Sequence, residues 1–478
     1  MSGRARTIRL TLVVLLCLLT VPVASGYFTS PTDVGDAGPG GNASPTPTLT
    51  DTPGNDTDPV RVGGSNGITV VTIDATGPSQ IVAYGPGGNV LYQDDSHQIY
   101  HDVDPVPGTE ATVEYIANNR NEPADNCPGP ERCMLNVLER VNVTTGEETE
   151  AYSWYTPMPG SAQVHDVDRV NESVLLVADI SFPDGVYMVN TTTDEVIWRW
   201  NVSEDYSSDS GGDYPGDWTH INDVEYLPDG RVMANLRNQD QVVFLEPGEG
   251  LIEDWTLGED GNHDILYEQH NADYIPAERG GPAVIVADSE NDRVVEYQRS
   301  DGEWKLSWLW KDAQLSWPRD ADRLPNGNTL IVDSHGQRIF EVDPNGTIVW
   351  KRGFPDGGYD AERLGTGDES SGGYSMQAIQ RYLEDGGSPN GTPAVNGTPP
   401  GEVTAVIQDQ GCDGLIGCIE GALTDLLPSI LLHGTLFALP LWVTPLGGAA
   451  FTIQVVIVVG WAAGEVAIRR DQLIARIR

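Results

Sequence analysis

The sequence predicts an all-β protein: a six-bladed β-propeller, preceded by an N-terminal signal or anchor segment and followed by a C-terminal transmembrane helix. Three observations carry that reading. A histidine-centred phrase recurs as His101-Asp-Val-Asp, His165-Asp-Val-Asp and His270-Asn-Ala-Asp, with related copies at Asn222-Asp-Val-Glu, Arg319-Asp-Ala-Asp and Met376-Gln-Ala-Ile. The copies are 64, 57, 48, 49 and 57 residues apart, a spacing that suits four-stranded blades. Apolar runs such as 231–245 and 329–342 lie between the turn signals Pro228-Asp-Gly, Pro325-Asn-Gly-Asn and Asp343-Pro-Asn-Gly, with no long helical periodicity in the body.

Six copies imply six blades. Only the inner part of the last copy is evident after residue 373, so the run 67–93, ahead of the first copy, is expected to supply its missing strands. That closure would protect the edges an open ring exposes. The phrase opens each blade, which places its first residue at the start of an inner strand, near the channel mouth. Side chains at i and i+2 share a strand face. His220 is therefore expected to look toward the channel with Asn222, and Trp317 with Arg319. The aspartates one place further on (Asp102, Asp166, Asp223, Asp320) are expected to face between blades and bond backbone there.

The 478 residues include 71 acidic and 27 basic ones, a formal charge of −44, with lysine only at Lys305, Lys311 and Lys351. Twelve Trp and 17 Tyr stand among the β-patterned runs, so this acidity reads as the solvated surface of a halophile's folded protein rather than as disorder. Such a field repels nucleic acid, and no nucleic-acid partner is expected. Residues 1–26, an apolar run behind Arg4, Arg6 and Arg9, read as a signal peptide or signal anchor. A disordered stalk follows over 27–66, then the propeller over 67–408. Residues 409–446 are a linker with an apolar, proline-broken, membrane-proximal part, and 447–468 are long enough to span a bilayer. The basic tail 469–478 (Arg469, Arg470, Arg476, Arg478) is expected in the cytoplasm. This organisation places the propeller outside the cell, held at the membrane. Nine glycosylation sequons and two close cysteine pairs, Cys127/Cys133 and Cys412/Cys418, agree with an oxidising exterior. Both pairs are expected to form disulfides.

His101, His165, His220, His270, Arg237 and Arg319 are expected to converge at one mouth of the channel. A single such histidine is as readily architectural, bonding a carbonyl of the adjacent blade; four from different blades point to a site. No carboxylate stands in the column to complete a metal site, so no metal is expected. Imidazoles beside arginines suit an oxyanion, because the guanidinium fork binds its oxygens and a neutral imidazole is a nucleophile.

Asp217-Trp-Thr-His220-Ile-Asn222, then Asn235-Leu-Arg237-Asn-Gln239, then Glu268-Gln-His270-Asn-Ala272 resemble the arylsulfate sulfotransferases, which do not use phosphoadenosine phosphosulfate. The family's Trp-x-His-x-Asn phrase is followed by Arg-x-Gln and later by Gln-His-x-Ala, and the resemblance covers 101–353. It implies a catalytic six-bladed propeller, here a halophilic archaeal-type, membrane-anchored member. It also implies an aryl sulfate donor, a phenolic or other hydroxyl acceptor, and double displacement through a sulfohistidine, with no cofactor. His270 would be the nucleophile, with His220 and Arg237 holding the sulfuryl oxygens and His165 assisting. His101, Asn222, Arg319 and Trp317 are candidates for substrate binding on geometry alone. Asn238 stands where the family usually has histidine, and the body is smaller. Two other classes compete: a non-catalytic surface propeller that binds glycans or surface proteins, and a metal-dependent hydrolase, which would need a carboxylate-rich channel. The oligomeric state is left open.

Overall fold

The computed structural model describes residues 12, 67–74, 79–122, 127, 132–157, 163–354, 357–387, 393, 403–411, 447 and 450–461. The chain divides into two units, one comprising Pro59–Asp413 and the other Met1–Asp58 with Gly414–Arg478. Among the described residues the first unit holds six sheets arranged as propeller blades, antiparallel except that Val406–Asp409 pairs in parallel with the strand Glu303–Lys311. Their inner strands, numbered here as blades 1 to 6, are Ile99–Pro105, Val164–Asn171, Ile221–Tyr226, His270–Ile275, Pro318–Arg323 and Gly358–Arg363. In blades 1 to 5 the next strands in sequence follow outward. In blade 6 the inner strand pairs with Thr69–Ile73, which leads out through Gln80–Tyr84 and Val90–Asp94. The run ahead of the first phrase therefore closes the ring, as the sequence suggests.

The sixth phrase is not where the sequence reading puts it. Tyr359-Asp-Ala-Glu opens blade 6, only 40 residues after Arg319, because blade 5 is built with short turns. Met376 instead begins a helix, Met376–Glu384, whose first turn is capped by Ser375 accepting from the Ala378 N–H. Met376, Ala378 and Ile379 pack in the wedge between blades 4 and 5, a burial whose apolar spacing imitated a strand opening.

The core is shared between blades. Six apolar clusters are present, and each draws residues from two neighbouring blades. Successive residues of one strand enter opposite wedges: Val70 and Val71, Leu175 and Leu176, Val294 and Val295. Period-two alternation with both faces buried explains why these strands read as continuous apolar runs. Turns such as Pro228-Asp-Gly230 and Pro325-Asn-Gly327 place glycine at φ 92° and 85°, where a side chain is disfavoured.

At the start of the phrase each inner strand slips register against its neighbour, for example between Tyr100 and Val103 or between Val164 and Val167. The bulge leaves a backbone N–H without a ladder partner. A carboxylate of the preceding blade takes it. Asp102 accepts from Val167 N at 3.4 Å, Asp166 from Val224 N, and Asp223 from Ala272 N at 3.1 Å. Asp320 accepts from Ala361 N at 3.1 Å and Asp360 from Val103 N at 2.7 Å. The repeated aspartates are thus ties between blades.

Cys127 and Cys133 form a disulfide; Cys412 and Cys418 lie outside the described residues. In the second unit residues 450–461 are helical. Among the described residues no helix is long and apolar enough to cross a membrane. Much of the expected span 447–468 lies outside them, as do the stalk and all of the leader but residue 12.

Asp360 joins the last blade to the first, and also accepts from Ala361 N at 2.8 Å and Asn271 Nδ2 at 3.4 Å. Asp360→Ala is expected to cost about 1–3 kcal/mol for each backbone N–H it strands, and Asp360→Asn less, since an acceptor remains. Chemical denaturation of the two variants checks this. Equal stability of wild type and Asp360→Ala would refute a ring-closing role.

Candidate active site

Two local backbone features aim side chains at the mouth. The first lies two residues before the phrase in three successive blades, where His220 (φ 48°), Glu268 (φ 43°) and Trp317 (φ 55°) adopt the left-handed conformation. Non-glycine residues pay about 1–3 kcal/mol for such backbone, and it gathers at functional sites. The second is a short turn after the second strand of a blade. Arg237–Gln239 and Ser289–Asn291 each form one turn of 3₁₀ helix, ended by left-handed Asp240 and Asp292.

The first residue of that turn ordinarily reaches the next blade. Ser289 Oγ donates to the Pro318 carbonyl at 2.7 Å, and Ser334 Oγ donates to the Gly358 carbonyl. Both carbonyls directly precede a column residue. In blade 3 the turn begins with Arg237, and the matching carbonyl, that of Gln269, accepts instead from Asn222 and Asn235, each at 3.0 Å. Two asparagines do the serine's work, and Arg237 is released toward the mouth. Asn222, expected to contact substrate, has its amide spent on this tie; its Oδ1 accepts from Asn235 at 2.5 Å. His101 is similar. Its Nδ1 lies 3.1 Å from the Val164 carbonyl of the next blade, the architectural role open to any one histidine of the column.

The remaining candidates converge. The rings of His101 and His165 stack with centroids 4.4 Å apart, and His165 lies 4.9 Å from His220. Tyr359 stands 4.6 Å from His101 and 6.2 Å from His270. His270 meets the edge of Trp317 at 5.3 Å. The Arg319 guanidinium covers Trp317 at 4.4 Å and Tyr359 at 4.9 Å. Arg237 pairs with Glu268, and its charge acts on both His220 and His270. Tyr359 was missed in the sequence because the sixth phrase was sought at Met376; the frame Tyr359-Asp-Ala-Glu is its signal. Asp217, Glu268 and Ser289, which touch His220, Arg237 and His270, carried no repeat to mark them.

Burial disfavours the imidazolium of His270, and the charges of Arg319, Arg237 and His220 add to it, so its pKa is held well below 6.5. His165 is depressed in the same way, by burial and then by His101, His220 and His270. His220 is lowered by burial and Arg237, against the opposing pull of Asp217, which lies 2.7 Å from its Nδ1. The Asp217 carboxyl is itself held below its ordinary value by that hydrogen bond. These three imidazoles are neutral at neutral pH.

The hydrogen bonds also assign a tautomer. Ser289 has one hydroxyl proton, which goes to Pro318, so the 2.8 Å contact to His270 Nδ1 requires that nitrogen to donate. His270 Nε2 then carries the lone pair. His165 Nδ1 and Arg237 Nε are buried without a hydrogen-bond partner among the described residues, as expected of groups that a bound polar ligand completes.

The column itself is free of carboxylates, but the channel is not. Asp102, Asp166, Asp320 and Asp360 ring it, and Asp104 and Asp322 follow one step along their strands. Burial and mutual repulsion raise Asp102, Asp104, Asp166, Asp320 and Asp322 well above the usual carboxylate range, and burial raises Asp360 to about 6.

No curated protein sequence is similar enough to this chain to count as a relative. Solved structures that resemble it include a protein of unknown function from Bacteroides caccae, 12% identical over 63% of this chain and 100% of that one, with a TM-score of 0.43. A putative 6-phosphogluconolactonase from Bacteroides fragilis is 10% identical over 66% of this chain and 100% of that one (TM-score 0.40). The periplasmic gluconolactonase of Pseudomonas aeruginosa is 11% identical over 63% and 99% (TM-score 0.41). Residues 88–301, which contain His101, His165, His220, Arg237 and His270, match the model of the arylsulfotransferase (ASST) family.

Proposed function

We propose that the propeller is an aryl-sulfate sulfotransferase that works through a sulfohistidine on His270 and needs no phosphoadenosine phosphosulfate. The observation that carries this is the neutral His270, its Nδ1 proton engaged by Ser289, beside two arginines. In the first half-reaction Nε2 attacks sulfur; the N–S bond forms, the S–O bond to the aryl group breaks, and the aryl group leaves as phenolate while His220 stays neutral. His220 is the base of the second half-reaction and then returns the proton to solvent; Asp217, 2.7 Å from its Nδ1, suits it to that role by steadying the imidazolium that forms. Arg237 turns from Glu268 to the sulfuryl oxygens and stabilises the charge spread over them. In the second half-reaction the acceptor hydroxyl attacks sulfur, its proton passes to His220, and the N–S bond breaks. The family match supports the sulfotransferase class; nothing in the geometry favours the glycan-binding alternative.

p-Nitrophenyl sulfate at high salt, with and without phenol, tests this. Phenol-stimulated release of nitrophenolate is expected, absent in His270→Ala and lowered about 10²–10³-fold in Arg237→Ala. Equal release without phenol would indicate a sulfatase, and no release would leave a binding module. Intact mass after donor alone is expected to gain one SO₃, and His270→Ala none.

Since His270 attacks only as the neutral base and its pKa lies below the ordinary value, the acid limb of the rate profile is expected below pH 6.5, with little loss between pH 7 and 6.5. A limb centred at 6.5 or above would contradict this. In Ser289→Ala the ring loses the acceptor that selects its tautomer. Turnover is expected to fall about 10–100-fold with little change in KM, and the ¹⁵N shifts of His270 should report mixed tautomers.

We further propose that the protein works outside the cell, anchored by its C-terminal segment. Val455, Val456, Val458 and Val459 are exposed on the helical stretch 450–461, apolar surface that a bilayer would cover. Carbonate-resistant sedimentation with membranes, lost on deletion of 447–478, is the expected result; retention in the soluble fraction would refute it.

A further inference from the structure

Deeper along the inner strands, Asp273, Asp320, Asp322 and Glu369 bring one carboxylate oxygen each to within 4.8 Å of one another. Each of the two bonded aspartates divides its oxygens. Asp273 Oδ2 accepts from Ser370 and Asp320 Oδ2 from Ala361 N, while Oδ1 of both is buried with no hydrogen-bond partner. Asp322 is 1% exposed, and neither of its oxygens has a partner. Of the arginines on these strands, Arg319 stands in the histidine layer, and Arg323 and Arg363 form ion pairs with Glu296 and Glu341, the Arg363 charge also opposing the rise of Asp322. Glu369 is carried in by a short helical turn and fixed by its own N–H, which donates to Glu362 at 2.7 Å.

An ionised carboxylate buried without donors is too costly to leave uncompensated. A proton or a cation can offset it, and the arrangement of the oxygens points to a cation. Oxygens held by hydrogen bonds on one side and free on the other are what second-shell support of a metal ligand looks like. The set contains no His or Cys, which excludes a soft-metal site and selects a hard ion. Four carboxylates converging on one point suit Ca²⁺, which takes many oxygen ligands from the protein, better than Mg²⁺, which is usually held through one or two carboxylates and keeps several waters.

We propose that Asp273, Asp320, Asp322 and Glu369 hold one Ca²⁺ in the propeller channel. The ion links blades 4 and 5 to the segment that follows blade 6, and its role is structural. It is independent of the sulfuryl-transfer reading, since no residue of the histidine layer ligates it.

The full-length protein, dialysed against Ca²⁺ and then Ca²⁺-free buffer, is expected to retain one Ca²⁺ per chain by elemental analysis. Its thermal midpoint should fall on chelation, return with Ca²⁺ and return less with Mg²⁺. The double variant Asp322→Asn, Glu369→Gln should retain no such ion and show no response to Ca²⁺. In chelator its midpoint should equal or exceed that of the wild type, because two buried charges are gone. Equal calcium in wild type and variant would mean that the ion sits on the acidic surface. A wild-type midpoint indifferent to chelator would mean that the carboxylates are neutral acids. Either result overturns the proposal.

Discussion

The molecule depends on one recurring bond, in which an aspartate carboxylate accepts the N–H that a bulge frees in the next blade. A propeller blade has no core of its own, and each apolar wedge is half of one sheet and half of another. Hydrophobic packing is non-directional, so it holds blades together without fixing their heights along the axis. The carboxylate–amide tie supplies that register at the innermost point. It acts at five of the six junctions, Asn271 standing in place of the aspartate between blades 4 and 5, and it brings the first residues of the phrases to a common level on which the site depends.

The chemistry then lies in the exceptions to the scaffold. Where serine begins the turn, as at Ser289 and Ser334, it is consumed in stapling the next blade. Blade 3 transfers that task to Asn222 and Asn235, and a cation becomes available where a staple would stand. His101 is an exception in the opposite sense, an imidazole in the column that bonds a carbonyl of the next blade as Asn222 does. Membership of the column therefore does not assign a role; the fate of the neighbouring carbonyl does.

This explains which parts were legible in the sequence. Blade number, closure by the N-terminal run and the gathering of His165, His220, His270 and Arg319 follow from period and phrase, because a repeated backbone tie imposes a repeated residue. Tyr359 and Met376 were confused because the tie requires only the aspartate: the residue before it is free to vary, and a capped helix can imitate the apolar frame. The role of Asn222 was hidden by a different physics. The i, i+2 rule holds for a regular strand, whereas the register slips between Ile221 and Asp223, so face alternation fails there. Glu369 lies outside every repeat, on a turn after the last inner strand.

The two layers of the channel also oppose each other in their response to pH. His165 and His270 have native pKa values below the unfolded value, so the unfolded chain binds more protons as pH falls, and their contribution to stability is lost in acid below about pH 6.5. The carboxylates have the reverse sign. Asp168 and Asp360 are raised to about 6 and Asp223 and Asp368 to about 7, in each case first by burial, so the stability they contribute is fully present below their ordinary value of 3.8 and is lost as pH rises through 6 to 7. The conditions that keep the imidazoles neutral are therefore those in which the layer beside them charges. A fold carrying both layers at neutral pH needs something to offset the charged carboxylates. Backbone N–H groups do so for the ring that ties the blades; for Asp322, which no donor among the described residues reaches, the proposed Ca²⁺ would supply it.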